Sequence, residues 1–234
     1  MATVDKKKNR KEQNTLFPVF LKLEKLKVLV VGGGDVALEK LSALFQNCPD
    51  AKVKLVGTLI KPQTEKFLSA NKIFFEERPF AVTDLEDTDL VIIAINDKNI
   101  SKEIQQCCSE RRILTNVADT PELCNFYLGS IVQKGNLKLA ISTNGKSPTI
   151  AKRVKEVLIE AFPDEMDDVL DNMAIIRNRL KGDFSDKVRQ LNEITNVLAT
   201  TDGSKRKYLS ATGLIIAAVF FIAMGYFLFF VLHN

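Results

Sequence analysis

The chain has 234 residues, 46% of them hydrophobic and 26% charged, which is room for one ordinary domain plus an appendage and is too apolar for a disordered chain. Its net charge of +4 is small and sits largely in the N-terminal arm and in "KRK", Lys205 to Lys207, which argues against nucleic acid as a partner. The one histidine is His233, so residues 1–232 can form no Ser-His-Asp triad, Cys-His dyad or histidine metal site, and proton transfer there falls to Asp, Glu, Lys, Tyr, Cys or solvent.

Residues 1–15, opening "MATVDKKKNRKEQN", are basic with no apolar stretch behind them long enough for a signal peptide, and are expected to be a disordered arm. A short apolar run, "FPVFLKL", leads into "LKVLVV" and "GGGDVALEKLSALFQNC", a strand, a glycine turn and a helix. "AKVKLVG" reads as a second strand and "KPQTEKFLSAN" as a short helix with Pro62 near its start. "KIFF" reads as a third strand, and "DLVIIAIN" as a strand buried on both faces. "DKNISKEIQQCCSERR" is helical and "RILTNV" again a strand. This alternation predicts a Rossmann-like, doubly wound parallel sheet over residues 16–115.

The pattern then changes. "FYLGSIVQKGNLKLAIST" predicts a small strand pair joined at "KGN", within a region 116–150 that also holds the candidate active-site loop. Residues 151–204 predict helices, and Met166, Val169, Leu170, Met173, Ile176 and Leu180 form an apolar stripe on one of them. From Leu209 to Leu232 only Tyr226 carries an ionisable group. Those residues would rise roughly 36 Å as a helix, enough to cross a bilayer core. Residues 205–234 are therefore expected to be a basic flank and one transmembrane helix. By the positive-inside rule a single-pass C-terminal anchor in the cell membrane is expected, with residues 1–208 in the cytoplasm. Cys48, Cys107, Cys108 and Cys124 lack CxxC spacing, so reduced thiols and no metal site are expected.

Two places carry chemistry. "VLVVGGGDVALEK" holds G-x-G-x-x-A at Gly32, Gly34 and Ala37 between a strand and a helix, the arrangement that lets a backbone and a helix N-terminus approach a pyrophosphate. The carboxylate expected to hold the ribose about 20 residues on is missing. Thr58 stands there instead, which leaves NAD and NADP open on the residues alone. The second place is "NVADTPELCNF", where Asp119 precedes a Thr-Pro turn between two apolar runs. In a region without histidine it is a natural proton acceptor.

Taken together, "VVGGGDVALEK", "TNVADTP" and "AISTNGKSPTIAKRVKE" resemble the siroheme synthase N-terminal family, the precorrin-2 dehydrogenases and sirohydrochlorin ferrochelatases, from about Leu16 to Thr200. The opening "FPVFLKLEKLKVLVVGGG" resembles the family's short leading strand before its nucleotide fold. The resemblance implies NAD-dependent oxidation of precorrin-2 to sirohydrochlorin, followed in bifunctional members by insertion of ferrous iron. It implies that Asp119 of N-V-x-D is catalytic, that Asn116 of the same motif lies at the substrate, and that the protein is a homodimer. Cofactor contacts carry over to Asp35, Val36, Thr58 and Leu59, and Asn96 stands where many relatives carry threonine near the cofactor. The many-carboxylate tetrapyrrole calls for basic groups and a helix start. Lys146 and Ser147 supply these, with Lys152 and Arg153 beyond. Thr143 and Asn144 occupy positions where the family commonly has serine and glycine.

Two alternatives remain at this point. A dehydrogenase-only enzyme would share the same aspartate. A membrane-tethered, non-catalytic nucleotide-sensing module would explain the glycine turn and the anchor, but not Asp119 in its motif.

Overall fold

The computed structural model describes residues 14–164 and 166–199. The chain divides into two compact units, with the break between Leu128 and Gly129. Each is built by the sequence pattern that announces it.

In the first unit the strands are β1 (Lys27–Gly33), β2 (Lys52–Ile60), β3 (Phe74–Glu77), β4 (Leu90–Ile93) and β5 (Leu114–Val117). All pair in parallel, in the order β3-β2-β1-β4-β5. Helices α1 (Asp35–Asn47), α2 (Pro62–Ala70) and α3 (Lys98–Glu110) form the crossovers. The period of two along β1 explains why helices lie on both faces. Val28 and Val30 pack with Leu41 and Leu44 of α1 and Leu68 of α2, whereas Leu29 and Val31 pack with Ile104 and Cys108 of α3. Every residue of β4 is buried, as its unbroken apolar run requires. Caps agree with the sequence: Pro62 opens α2, and Asp97 Oδ1 accepts from the Asn99 and Ile100 amides at the start of α3.

The second unit contains an antiparallel pair, β6 (Ser130–Lys134) and β7 (Leu137–Ile141), followed by α4 (Pro148–Ala161), α5 (Met166–Arg179) and α6 (Phe184–Ala199). Gly135 takes φ +55° at the hairpin turn. Asp167, in the first turn of α5, accepts from the Asn136 amide at 2.5 Å and its side-chain nitrogen at 3.1 Å. No residue of α5 is fully buried, and its Ile175 is 48% exposed.

Three expectations are revised. The membrane helix is corrected: among the described residues no helix is long and apolar enough to cross a membrane, and Leu209–Leu232 lies outside the described residues. The longest described helix, α6, has 16 residues and carries Asp186, Lys187, Arg189 and Glu193. The fold is thus a Rossmann-like sheet with a strand pair and helices, and the expected localisation, a single-pass anchor in the cell membrane, is withdrawn with the span. The apolar leader is not a strand either. Residues 14–22 have no regular structure, Phe17 and Phe20 are exposed, and only Leu23–Lys25 forms a 3₁₀ turn. Finally, Asn116–Leu128 lies in the first unit rather than with the strand pair: it begins in the last two residues of β5, and the segment beyond is bonded back to that strand.

A buried carboxylate fixes the stretch between β3 and β4. Asp84 is bound by both Arg78 Nη atoms at 2.8 and 2.7 Å and by the Ala81 amide at 2.9 Å, while Glu76 holds the same guanidinium. Those bonds, the Arg78 guanidinium first, hold the Asp84 carboxyl below the usual carboxylate range against the opposing effect of burial. A depressed folded value stabilises above the unfolded value of about 3.9 and ceases to do so as pH falls through the folded one. Asp84→Asn should therefore lose about 1–3 kcal/mol in urea unfolding at pH 7. The difference from wild type should hold down to about pH 5 and shrink below about pH 4.

Candidate nucleotide and acid-base site

Strand order reverses between β1 and β4, so a crevice opens at the C-terminal ends of these strands, where α/β sheets take ligands. Two glycines there do different things. Gly32 has φ +116°, and a Cβ on it would collide with the Ala94 carbonyl oxygen at the end of β4 and come within 3.1 Å of Ile95 Cγ2. Its lack of a side chain is dictated by sheet packing. Gly34 has an ordinary φ of −87°, and a Cβ on it would meet nothing within 4 Å. The fold does not need glycine there; close approach of a ligand would. Gly34 is also the N-cap of α1 and no side chain caps that helix, so its first-turn N–H groups and positive dipole end are presented to the crevice. Val36, in that first turn, is half-buried against the core.

β2 completes the crevice through a register shift. Its pairing with β1 runs in step to Val31↔Val56 and resumes at Gly33↔Ile60. The extra residues push Thr58 and Leu59 outward, and Leu59 is 68% exposed. Lys61, absent from the sequence expectations, ties this end to the glycine turn. Its amide donates to the Gly33 carbonyl at 2.9 Å, and its ammonium pairs with Asp35 Oδ2 at 2.6 Å. Thr64 Oγ1 donates to the Gly34 carbonyl at 3.4 Å. The signal available in the sequence was a lysine directly before the proline that opens α2. Asn96 is exposed two residues beyond Ala94, on the β4 side of the same crevice. Gly32, Gly34, Asp35, Thr58, Leu59 and Asn96 are thus gathered at the ends of three adjacent strands.

Asp119 lies at the same edge of the sheet, beyond β5. The Ala118 amide still donates to Ile93 at 2.9 Å, and Asp119 follows in a left-handed conformation, φ +56°, with its side chain exposed. Such a φ costs a non-glycine residue about 1 kcal/mol, and aspartate tolerates it better than most. The chain then reverses through a 3₁₀ turn, Pro121–Leu123, and runs back along β5. Thr115 and Asn125 exchange two bonds, amide to Asn125 Oδ1 at 3.0 Å and Asn125 amide to the Thr115 carbonyl at 2.8 Å. The Val117 amide donates to Cys124 Sγ at 3.1 Å. Asn116 is only 6% exposed, and its side-chain nitrogen donates to the Phe126 carbonyl at 2.9 Å, so the amide expected at the substrate is engaged within the loop.

The remaining expected residues belong to the second unit. Thr143 Oγ1 donates to the Ser147 carbonyl at 3.1 Å and accepts from its amide at 3.2 Å. Asn144 and Gly145 are both left-handed, which turns the chain from β7 into α4. Ser147 caps α4 by accepting from Ile150, Pro148 takes the first helical position, and Lys146 is exposed just ahead of the cap.

Residues 19–130 match the family described as "Putative NAD(P)-binding", and residues 134–160 match "Sirohaem biosynthesis protein central". The chain is 30% identical over 196 residues to siroheme synthase 1 of Serratia proteamaculans, covering 84% of this chain and 40% of that protein. With the siroheme synthase of Thioalkalivibrio sulfidiphilus it shares 36% over 146 residues, covering 62% and 29%. With that of Ruthia magnifica it shares 29% over 173 residues, covering 74% and 34%. The chain thus spans two-fifths or less of these relatives. Among solved structures it is similar in fold to "SirC, precorrin-2 dehydrogenase", with a TM-score of 0.59 at 23% identity over 86% of this chain and 98% of that one.

The two glycines separate packing from binding. Gly32→Ala should lower the melting temperature by several degrees, consistent with a loss of about 2 kcal/mol or more. Gly34→Ala should leave the melting temperature within about 2 °C of wild type. It should still weaken NADH at least tenfold in a fluorescence titration.

Proposed function

We propose that this chain, which belongs to the siroheme synthase family through its NAD(P)-binding and central segments, oxidises precorrin-2 to sirohydrochlorin with NAD as acceptor. The observation that carries the proposal is Asp119. An exposed carboxylate is held beyond β5 at the same end of the sheet as a glycine turn in which Gly34 faces open space.

The residues present fit a dinucleotide. Gly34 leaves room for close backbone approach, and the uncapped start of α1 offers N–H groups to a pyrophosphate. Thr58, Leu59 and Asn96 border the crevice, and Thr58 presents a hydroxyl where an acid often stands. Bound NAD supplies the hydride acceptor. Asp119 accepts the proton that the tetrapyrrole loses as the hydride leaves, and its exposure lets a large, flat substrate reach it. The start of α4, capped by Ser147 with Lys146 ahead of it, is the feature suited to the substrate's carboxylates. Thr143 and Asn144 shape that turn. A homodimer is part of the reading: the apolar stripe of α5 (Met166, Val169, Met173, Ile176) is only half-buried within the chain.

Insertion of ferrous iron into the product is a second reaction that the names of the curated relatives favour. Displacing pyrrole protons would call on the same carboxylate.

The protein mixed with precorrin-2 and NAD should form NADH in step with sirohydrochlorin. Asp119→Asn should lower kcat at least 100-fold, the scale expected for a lost general base, with NADH affinity unchanged. Adding ferrous iron then distinguishes a bifunctional enzyme, which forms siroheme, from a dehydrogenase that stops at sirohydrochlorin. Bound NAD without reduction would favour a nucleotide-sensing role.

A further inference from the structure

Asp119 occupies a conformation that its own backbone disfavours, so something in the loop must hold it. Its neighbours on the strand side, Val117 and Ala118, are in place through β5 and the bond from the Ala118 amide to Ile93. On the other side the Thr120 amide donates to the Val117 carbonyl and Thr120 Oγ1 to the Ala118 carbonyl, both at 3.3 Å, and one further side chain ties the returning segment to this turn. Cys124 Sγ accepts from the Val117 amide at 3.1 Å and lies 3.2 Å from the Val117 carbonyl and 3.4 Å from the Thr120 carbonyl, either of which can take its S–H. Asn116 Nδ2 approaches the same sulfur at 3.6 Å. A single atom therefore bonds the residue two before Asp119 and the residue one after it.

We infer that Cys124 is a positioning residue for Asp119, its thiol standing in for the missing partner strand and fixing the left-handed turn that carries the carboxylate. This rests on the reading of Asp119 as proton acceptor. Three features make the thiol suited to the task. Burial pushes it above its ordinary value, the Val117 N–H offsetting only part of this, so it keeps its proton at neutral pH and can donate as well as accept. The separations of 3.2 and 3.4 Å to the two carbonyls suit sulfur and exceed the roughly 2.7–2.8 Å usual between hydroxyl and carbonyl oxygens, so serine would donate to them poorly. Val117 is 3% exposed, so water is poorly placed to replace the sulfur on its amide.

The test compares wild type, Cys124→Ala and Cys124→Ser with precorrin-2 and NAD, alongside NADH titration and urea unfolding. Cys124→Ala should lower kcat by 10- to 100-fold, while the KM for precorrin-2 and the Kd for NADH stay within twofold. Cys124→Ser should recover part of the loss, and it carries the test alone if the alanine variant does not fold. In the Asp119→Glu background, where the carboxylate is already displaced, Cys124→Ala should change kcat by less than twofold. The inference is overturned if Cys124→Ala keeps full kcat, if NADH binding falls in parallel with kcat, or if the two substitutions multiply. Failure of the underlying reading looks different, with Asp119→Asn fully active whatever residue 124 is.

Discussion

The end of β1 lies so close to the end of β4 that the Ala94 carbonyl occupies the space where a side chain on Gly32 would stand. Much of the first unit depends on that approach. It brings β1 and β4 together at the point where the strand order reverses, and it turns the chain directly into α1 with its N-terminal N–H groups facing the gap. A bulkier residue would force β1 and β4 apart and spoil both faces of a core in which Leu29, Val30, Ile92 and Ile93 are almost wholly buried. Packing and ligand access thus meet within three residues: Gly32 serves the sheet and Gly34 serves the crevice.

Charge at the crevice follows from the same geometry. The register shift in β2 brings Lys61 across to Asp35, and both side chains remain about half exposed or more. An ion pair of that kind contributes roughly 0–1 kcal/mol, so it orients the turn without committing the lysine. An arriving pyrophosphate would compete with Asp35 for the ammonium at little cost. The pair is thus neutral in itself, and its lysine can turn to an anion that enters.

Much of this was legible in the residues, and what was not has a physical reason. Alternation and unbroken apolar runs revealed each strand of the sheet, and the glycine turn revealed which end mattered, because local pattern and burial coincide there. The Lys61–Asp35 pair was hidden because it depends on a two-residue shift in strand pairing, which no local periodicity encodes. Asn116 was expected to face substrate because it sits in the motif with Asp119; its bond to the Phe126 carbonyl depends on how the loop returns along β5, which the motif does not encode. "FPVFLKL" has the composition of a strand and does not pair as one, because composition alone does not bring a segment to a sheet edge. The contacts of Cys124 had no signature at all: a thiol that packs into a turn leaves no spacing to read.

The segment that returns along β5 does more than carry a loop. A parallel sheet ends in a row of unpaired N–H and C=O groups, a template on which a foreign strand can grow. Here that row is filled from within by the side chain and amide of Asn125, by the Thr120 amide and by the Cys124 sulfur. The covering is made largely of side chains rather than a regular ladder, so it satisfies the edge while offering no new ladder beyond itself. The cover of the β5 edge and the turn that carries Asp119 are therefore one short stretch, and damage to that turn would also uncover a sticky edge.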